Sequence, residues 1–178
     1  AAPGPALFVF QGEAFKTMDP RQFEPDQLAF ANKTLHIFSG LYGVLRPMDG
    51  IKPYRLDFNT PLGISAKGLK QFWQEKIVTC FENQTQKGEV IINLASKEYS
   101  SILGQSRLKD QIITLQFRER IKEKLKSLSV RAKQARGLFA SQIIQKKITS
   151  ANDIKKISLA DYGYEKNLSS NTEWFFIR

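Results

Sequence analysis

The chain has 178 residues, 42% of them hydrophobic and 25% charged, with 13 Phe, 5 Tyr and 2 Trp. That aromatic and apolar content excludes a disordered chain and suits one globular domain, or at most two small ones, with enough apolar mass for a core. The net charge of +10 and pI near 9.7 point to a polyanionic partner, nucleic acid ahead of anionic membrane or acidic protein.

The first apolar run, Ala6 to Phe10, predicts a short strand that ends at Gly12. From Pro25 to Phe38, Leu28, Ala31, Leu35 and Phe38 recur three or four apart. With Pro25 and Asp26 at its start, this segment predicts an amphipathic helix. It runs directly into "SGLYGVLRPMDGIKPYR", residues 39 to 55, where packing residues are mixed with glycines, prolines and cations. Leu69 to Gln84 predicts a second helix, with Phe72, Ile77, Cys80 and Phe81 on one side. Glu89 to Ser96 is led by β-branched residues and predicts a buried strand. Ile113, Leu115 and Phe117 alternate in "DQIITLQF", a second strand. "RERIKEKLKSLSV" fits either a charged helix or a hairpin leading into a strand. Lys133 to Ile148 predicts a helix, and "SSNTEWFFIR" a final strand. There is no repeat, low-complexity tract or long linker, so the elements predict a single mixed α/β (α+β) domain, a mixed sheet flanked by helices.

Three clusters carry the chemistry. In residues 39–55, Arg46, Lys52 and Arg55 stand among Gly40, Gly43, Gly50, Pro47 and Pro53, beside Ser39, Tyr42, Asp49 and Tyr54. Glycines let backbone N–H groups approach a phosphate, and Gly43 between Tyr42 and Val44 resembles the apolar-Gly-apolar turn of helix-hairpin-helix modules. A helix end closed by a tight glycine turn accounts for the same residues. The second cluster is Asn93, Ser96, Lys97, Glu98 and Tyr99, at the end of a predicted strand. Strand ends often form ligand clefts in α/β folds, and equally this is a strand-to-helix junction with Ser96 as N-cap. The third is the run from Arg118 to Lys147, where ten cations face only Glu119 and Glu123. It includes Lys133 and Arg136, and reads as a polyanion surface or as a solvated helix face.

One cysteine, Cys80, and one histidine, His36, cannot build a closed zinc site, and no carboxylate spacing marks a magnesium site. No metal or cofactor is expected. His36, between Leu35 and Ile37, reads as a structural histidine, and Cys80 as an inert buried thiol. A lone cysteine fits a reducing, cytoplasmic setting. The absence of a long apolar run or signal-peptide pattern predicts neither membrane insertion nor secretion.

"SGLYGVLRPMDGIKPYRLDF", "QFW", "VIINLASKEY" and "AKQARGLFASQII", in this order, resemble the YaaA family of bacterial peroxide-stress proteins. The match runs from Ala6 over almost the whole chain. The resemblance implies a cytoplasmic protein made under hydrogen peroxide stress that limits free iron and so protects DNA and proteins from oxidation. It also implies a mixed α/β, cantaloupe-like fold with a helix-hairpin-helix-like element, a positively charged cleft and DNA binding. The positions that fit the family blocks are Ser39, Gly40, Tyr42, Gly43, Arg46, Pro47, Asp49, Pro53, Tyr54, Arg55, Trp73, Asn93, Ser96, Glu98, Tyr99, Lys133, Arg136 and Gly137. There are two departures. The family's N-terminal portion, with a strand and an "SPAKT"-like motif, is not in this sequence, so a fragment with an incomplete sheet is expected. The family's paired lysines before "ARG" read Lys133-Gln134, with Arg131 nearby as a substitute.

Two functions follow. In the first, the three blocks line a cleft that binds DNA largely without regard to sequence. Arg46, Lys52, Arg55, Lys133 and Arg136 supply charge, Gly40 and Gly43 let the backbone approach, and Tyr42 and Tyr54 stack on unpaired bases. In the second, an enzyme acts on a nucleotide or nucleobase, with an acid–base pair among Ser39, Asp49, Ser96, Glu98 and Tyr99. An enclosed Glu98 beside Arg46 or Arg55 favours the enzyme, and cations along an open groove favour binding. Any effect on iron is expected to be indirect, since the ligand set is poor. The sequence assigns no oligomeric state.

Overall fold

In a computed structural model, residues 2–61, 68–104 and 106–178 are described. The expected strand at Ala6–Phe10 is instead a one-turn helix. After a two-residue strand β1 (Gly4–Pro5), the helix α1 runs from Ala6 to Val9, with Ala6 and Leu7 wholly buried. A five-residue apolar run cannot separate the two states by period. Here Pro5, at φ −59°, leads into the turn, and the N–H groups of Ala6 and Leu7 bond to the carbonyls of Asp49 and Pro47 rather than to a ladder. α2 (Glu13–Met18) follows, and then α3 (Pro25–Thr34). The Glu24 N–H donates to Gln27 Oε1 at 2.9 Å, as in a capping box.

The helix expected to reach Phe38 ends at Thr34, and residues 39–55 form no helix. β2 (Ile37–Ser39) and β3 (Gly43–Leu45) pair antiparallel as a hairpin, and β4 (Gly50–Ile51) pairs with β1. The helix-hairpin-helix likeness of this stretch is therefore not carried by its secondary structure. Its turn is a strand-to-strand turn. Leu35, Ile37 and Leu45 join Ala6 and Ile51 in a small core, so period-two burial wins over the helical spacing.

α4 (Gly68–Gln84) buries Leu69, Ile77 and Phe81. Phe72, expected on that side, is 43% exposed, and Cys80 is half-buried. The strand expected at 89–96 is shorter, β5 (Ile91–Asn93), and only half-buried because it is an edge of the main sheet. α5 (Lys97–Ser100) comes next, and then the long strand β6 (Ile112–Ile121). The undecided basic segment is a hairpin: β6 turns at Lys122 and Glu123, both at positive φ, into β7 (Lys124–Lys126). α6 (Ser129–Gln145), α7 (Ala151–Ile154), β8 (Gly163–Glu165) and β9 (Glu173–Ile177) complete the chain.

The main sheet has the order β5-β6-β9-β8, with β7 appended to β6. β5, β6 and β9 are parallel, and β8 is antiparallel to β9. Ile113, Leu115 and Phe117 of β6 and Trp174 and Phe176 of β9 pack against Ala132, Ala135 and Phe139 of α6. On the other face, Ile91 and Ile112 meet Ile77 and Phe81 of α4. α2 and α3 cover the outer side of α6 through Met18, Ala31, Ala140 and Ile144. The result is a mixed α/β domain, a mixed sheet flanked by helices. Gly137 marks the tightest crossing: an added Cβ would lie 2.1 Å from the Ala14 carbonyl oxygen of α2.

Candidate functional site

The first two clusters meet. Tyr99 of α5 donates its phenol to Asp57 Oδ1 at 2.8 Å, and Phe58 lies 5.0 Å from the Tyr99 ring. Ser39, 1% exposed, exchanges a hydrogen bond between its Oγ and the Tyr54 phenol and accepts the Tyr42 N–H at 2.8 Å. The Tyr42 and Tyr54 rings meet edge-on at 5.6 Å. Burial pushes the Tyr54 phenol above its ordinary range. Burial, reinforced by the Asp57 hydrogen bond and charge and by nearby Glu98, pushes Tyr99 up further. Both phenols are thus held protonated. Glu98 has a buried Oε1 with no hydrogen-bond partner among the described residues.

The glycines of the hairpin serve packing. Gly43, at φ +79°, sits against the Trp73 ring, and the Gly40 carbonyl accepts the Trp73 indole N–H at 2.9 Å. Arg46 is drawn away from this cluster. It donates to Gln84 Oε1 at 2.8 Å and to the Lys33 carbonyl at 3.2 Å, and lies 3.4 Å from His36 Nδ1. It thereby ties β3 to α3 and α4. His36 lies between α3 and β2 rather than in the helix, with its Nε2 at Gln84, and burial lowers its pKa. Asp49 Oδ2 accepts the Arg46 N–H at 2.7 Å while the Asp49 N–H bonds to the Arg46 carbonyl, which closes the Arg46–Asp49 turn. Lys52 and Arg55 are exposed and have no ion pair among the described residues. Asn93 donates to Thr114 and accepts the Ala95 N–H. Ser96 stands at the N-cap of α5, where its carbonyl takes the Tyr99 and Ser100 N–H groups.

The third cluster lies on α6, joined to the first through α2. Phe15 of α2 stacks on Phe10, whose ring meets Tyr54, while Thr17 bonds to the Gln134 carbonyl. Lys133 is exposed. Arg136 is half-buried, its Nε has no partner among the described residues, and burial and the nearby Arg118 charge depress its pKa.

Around this helix the basic run folds onto one end of the sheet. Arg118 and Arg120 lie at the end of β6, and Lys122, Lys124 and Lys126 on the β6–β7 hairpin. Arg131 and Lys133 lie in the first turns of α6, and the backbone of Arg178 bonds to Arg118 and Arg120. Glu119, 5% exposed, is occupied by Arg131 and by the Tyr162 phenol at 3.1 Å. Beside it a cleft of about 300 Å³ opens between α6, Ala160, Tyr162 and Arg178. The sequence shows this segment's cations, with Glu119 as an opposing acid, but not Tyr162 and Arg178, whose proximity depends on strand pairing across the chain. Asp57 was legible only as part of the "RLDF" block.

Among the described residues, no helix is long and apolar enough to cross a membrane, and no three His, Cys, Asp or Glu side chains are grouped for a metal. The family model described as peroxide stress protein YaaA matches residues 1–168. A UPF0246 protein of Desulforapulum autotrophicum is 40% identical over 176 residues, 98% of this chain and 69% of that protein. UPF0246 proteins of Legionella pneumophila and Clostridium perfringens are 40% and 39% identical, over 98% of this chain and 69% and 70% of their own length. The resemblance carried by the hairpin, the Tyr99 block and the α6 block is thus upheld along the chain, which belongs to the YaaA family of peroxide stress proteins.

Proposed function

We propose that the chain binds DNA largely independently of sequence, and that this binding helps to limit iron-driven oxidative damage. The observation that carries the reading is the basic end of the sheet. Arg118, Arg120, Lys122, Lys124, Lys126, Arg131, Lys133 and Arg178 gather there, and Glu119, one of the two acids in that run, is already ion-paired. Cations spread over two strands, a turn and a helix start suit phosphates along a backbone better than one small ligand. Lys52, Arg55 and the exposed Tyr42 on the hairpin side offer further contacts. Arg46 is left out, because its guanidinium is engaged by Gln84 and Lys33.

The test is a titration of labelled duplex at two salt concentrations with Lys124→Glu and Lys133→Glu. Affinity should fall steeply with salt, and losing each phosphate contact should flatten the log–log slope by about one. An affinity indifferent to salt would end the reading. The effect on iron would be indirect, and tight stoichiometric ferrous binding in a calorimetric titration would overturn that part.

One observation favours a second reading. The unpartnered Glu98 oxygen lies close enough to Tyr99 to raise its pKa, next to Asp57, Tyr54 and Ser39, which together form an acid–base set for a nucleobase or nucleotide. No cation bonds to Glu98 among the described residues, so a phosphate anchor is lacking there, and binding remains the better account.

A further inference from the structure

The cleft beside the basic hairpin is more built than a polyanion surface requires. Glu119 at its edge is buried to 5% exposure, pairs with Arg131 and accepts the Tyr162 phenol, which fixes the guanidinium in place. A guanidinium carries five donors, and this pair uses the Nη1 nitrogen alone. Arg178 also lines the cleft, where its charge, like that of Arg131, bears on the Tyr162 phenol; it is exposed and has no side-chain partner among the described residues. Tyr162 reaches Glu119 from a tight turn in which Ala160 and Asp161 both hold positive φ, 52° and 64°. Positive φ at both central residues is the geometry of a two-residue hairpin turn, here the one that closes the Leu159–Tyr162 bridge and holds the Tyr162 phenol toward Glu119. Ala135 and Leu138 of α6 supply an apolar lining.

Building on the DNA-binding reading, we propose that this cleft seats a terminal phosphate of a nucleic-acid strand, held between the Arg131 and Arg178 guanidiniums. Two forked donors match the several oxygens of a phosphomonoester, and Arg is the side chain suited to such bidentate capture. The volume of about 300 Å³ is at the small end of ligand sites. An internal phosphodiester needs a path both into and out of a site, whereas a terminal phosphate enters as an end. The backbone bonds of Arg178 to Arg118 and Arg120 place the cleft against the cations that would hold the adjoining strand. The protein would then sit preferentially at strand breaks, the lesions that oxidative damage leaves in DNA.

The test compares one labelled duplex with 5′-phosphate, 3′-phosphate or hydroxyl ends, bound to the 178-residue chain and followed by anisotropy. A phosphate end should bind roughly tenfold tighter than a hydroxyl end, and the two phosphate arms tell which end is favoured. Arg178→Gln, at an exposed position, should bring that ratio to one, while Lys124→Gln should weaken all three duplexes together and keep the ratio. Equal binding of the three duplexes to the unaltered chain overturns the inference and leaves the DNA-binding reading standing. No binding of any duplex overturns both. A preference that survives Arg178→Gln overturns the assignment to this cleft. An acidic peptide that competes as well as adenosine monophosphate makes it a carboxylate seat and overturns the phosphate.

Discussion

Gly43→Ala tests whether the hairpin is seated as described. Gly43 sits at φ +79°, where alanine costs about 1–2 kcal/mol in backbone sterics. A Cβ there would also lie 2.6 Å from Trp73 Cε3 and 2.8 Å from Cζ3, far inside van der Waals contact. The indole cannot swing clear without loss, because its N–H donates to the Gly40 carbonyl at 2.9 Å, a bond worth about 0.5–1.5 kcal/mol net. The sum is a destabilisation of about 1.5–3.5 kcal/mol. Urea unfolding followed by tryptophan fluorescence measures it, with Gly50→Ala as control, since nothing lies within 4 Å of a Cβ at Gly50. On a Trp73→Leu background the added cost of Gly43→Ala should shrink to its backbone part. If Gly43→Ala were as stable as Gly50→Ala, the Trp73 contact and the turn geometry would both be wrong.

Three further outcomes follow from packing and titration. Gly137→Ala should destabilise by about 1–3 kcal/mol despite alanine's better helix propensity, because the Cβ would meet the Ala14 carbonyl rather than a movable side chain; a raised urea midpoint would show that α2 does not seat there. Arg46→Gln should cost about 1–3 kcal/mol of stability through its bonds to Gln84 and Lys33, yet shift DNA affinity less than Lys124→Glu does. The comparison pairs urea midpoints with anisotropy, and the reverse pattern would return Arg46 to the interface. Because burial lowers the pKa of His36, the unfolded chain takes up its proton first as pH falls below about 6.5. Stability should therefore be full above that pH and decline below it, and His36→Gln should lose this part of the decline in urea midpoints taken from pH 8 to 5.

The legible parts of the fold were those in which local pattern and final packing agree. α4 and α6 have long amphipathic stretches, and the alternation of Ile113, Leu115 and Phe117 survives as the inner face of β6. The segments that misled are short. Ala6–Phe10 has too few residues to show a period, and Leu35–Ser39 continues the helical spacing of α3 but turns to strand because the hairpin offers Ile37 and Leu45 a common core. The same division holds for the candidate site. The basic end could be counted along the chain because a tight hairpin and a helix start keep neighbours in sequence close in space. Arg46 and Arg55 look alike in sequence. Gln84, 38 residues beyond Arg46, and the Lys33 carbonyl hold Arg46 as a clamp, whereas Arg55 has no ion pair among the described residues.

The chain also divides its chemistry in a way that linear blocks obscured. Ser39, Tyr54, Asp57, Tyr99 and Glu98 form a set of hydroxyl and carboxyl side chains, with α5 and the hairpin as its frame. The cations of β6, β7 and α6 form a second set, and no hydrogen bond, ion pair or ring contact among the described residues joins the two directly. Sites without shared partners contribute independently to binding and stability. Tyr99→Phe should thus cost about 0.5–1.5 kcal/mol of stability through the lost Asp57 bond and leave the salt slope of DNA binding unchanged. Lys124→Glu should flatten that slope and leave stability nearly intact, and the double variant should show the sum of the two in each assay. A slope that changed with Tyr99→Phe would join the two sets into one interface and give the phenol cluster a place in nucleic-acid contact.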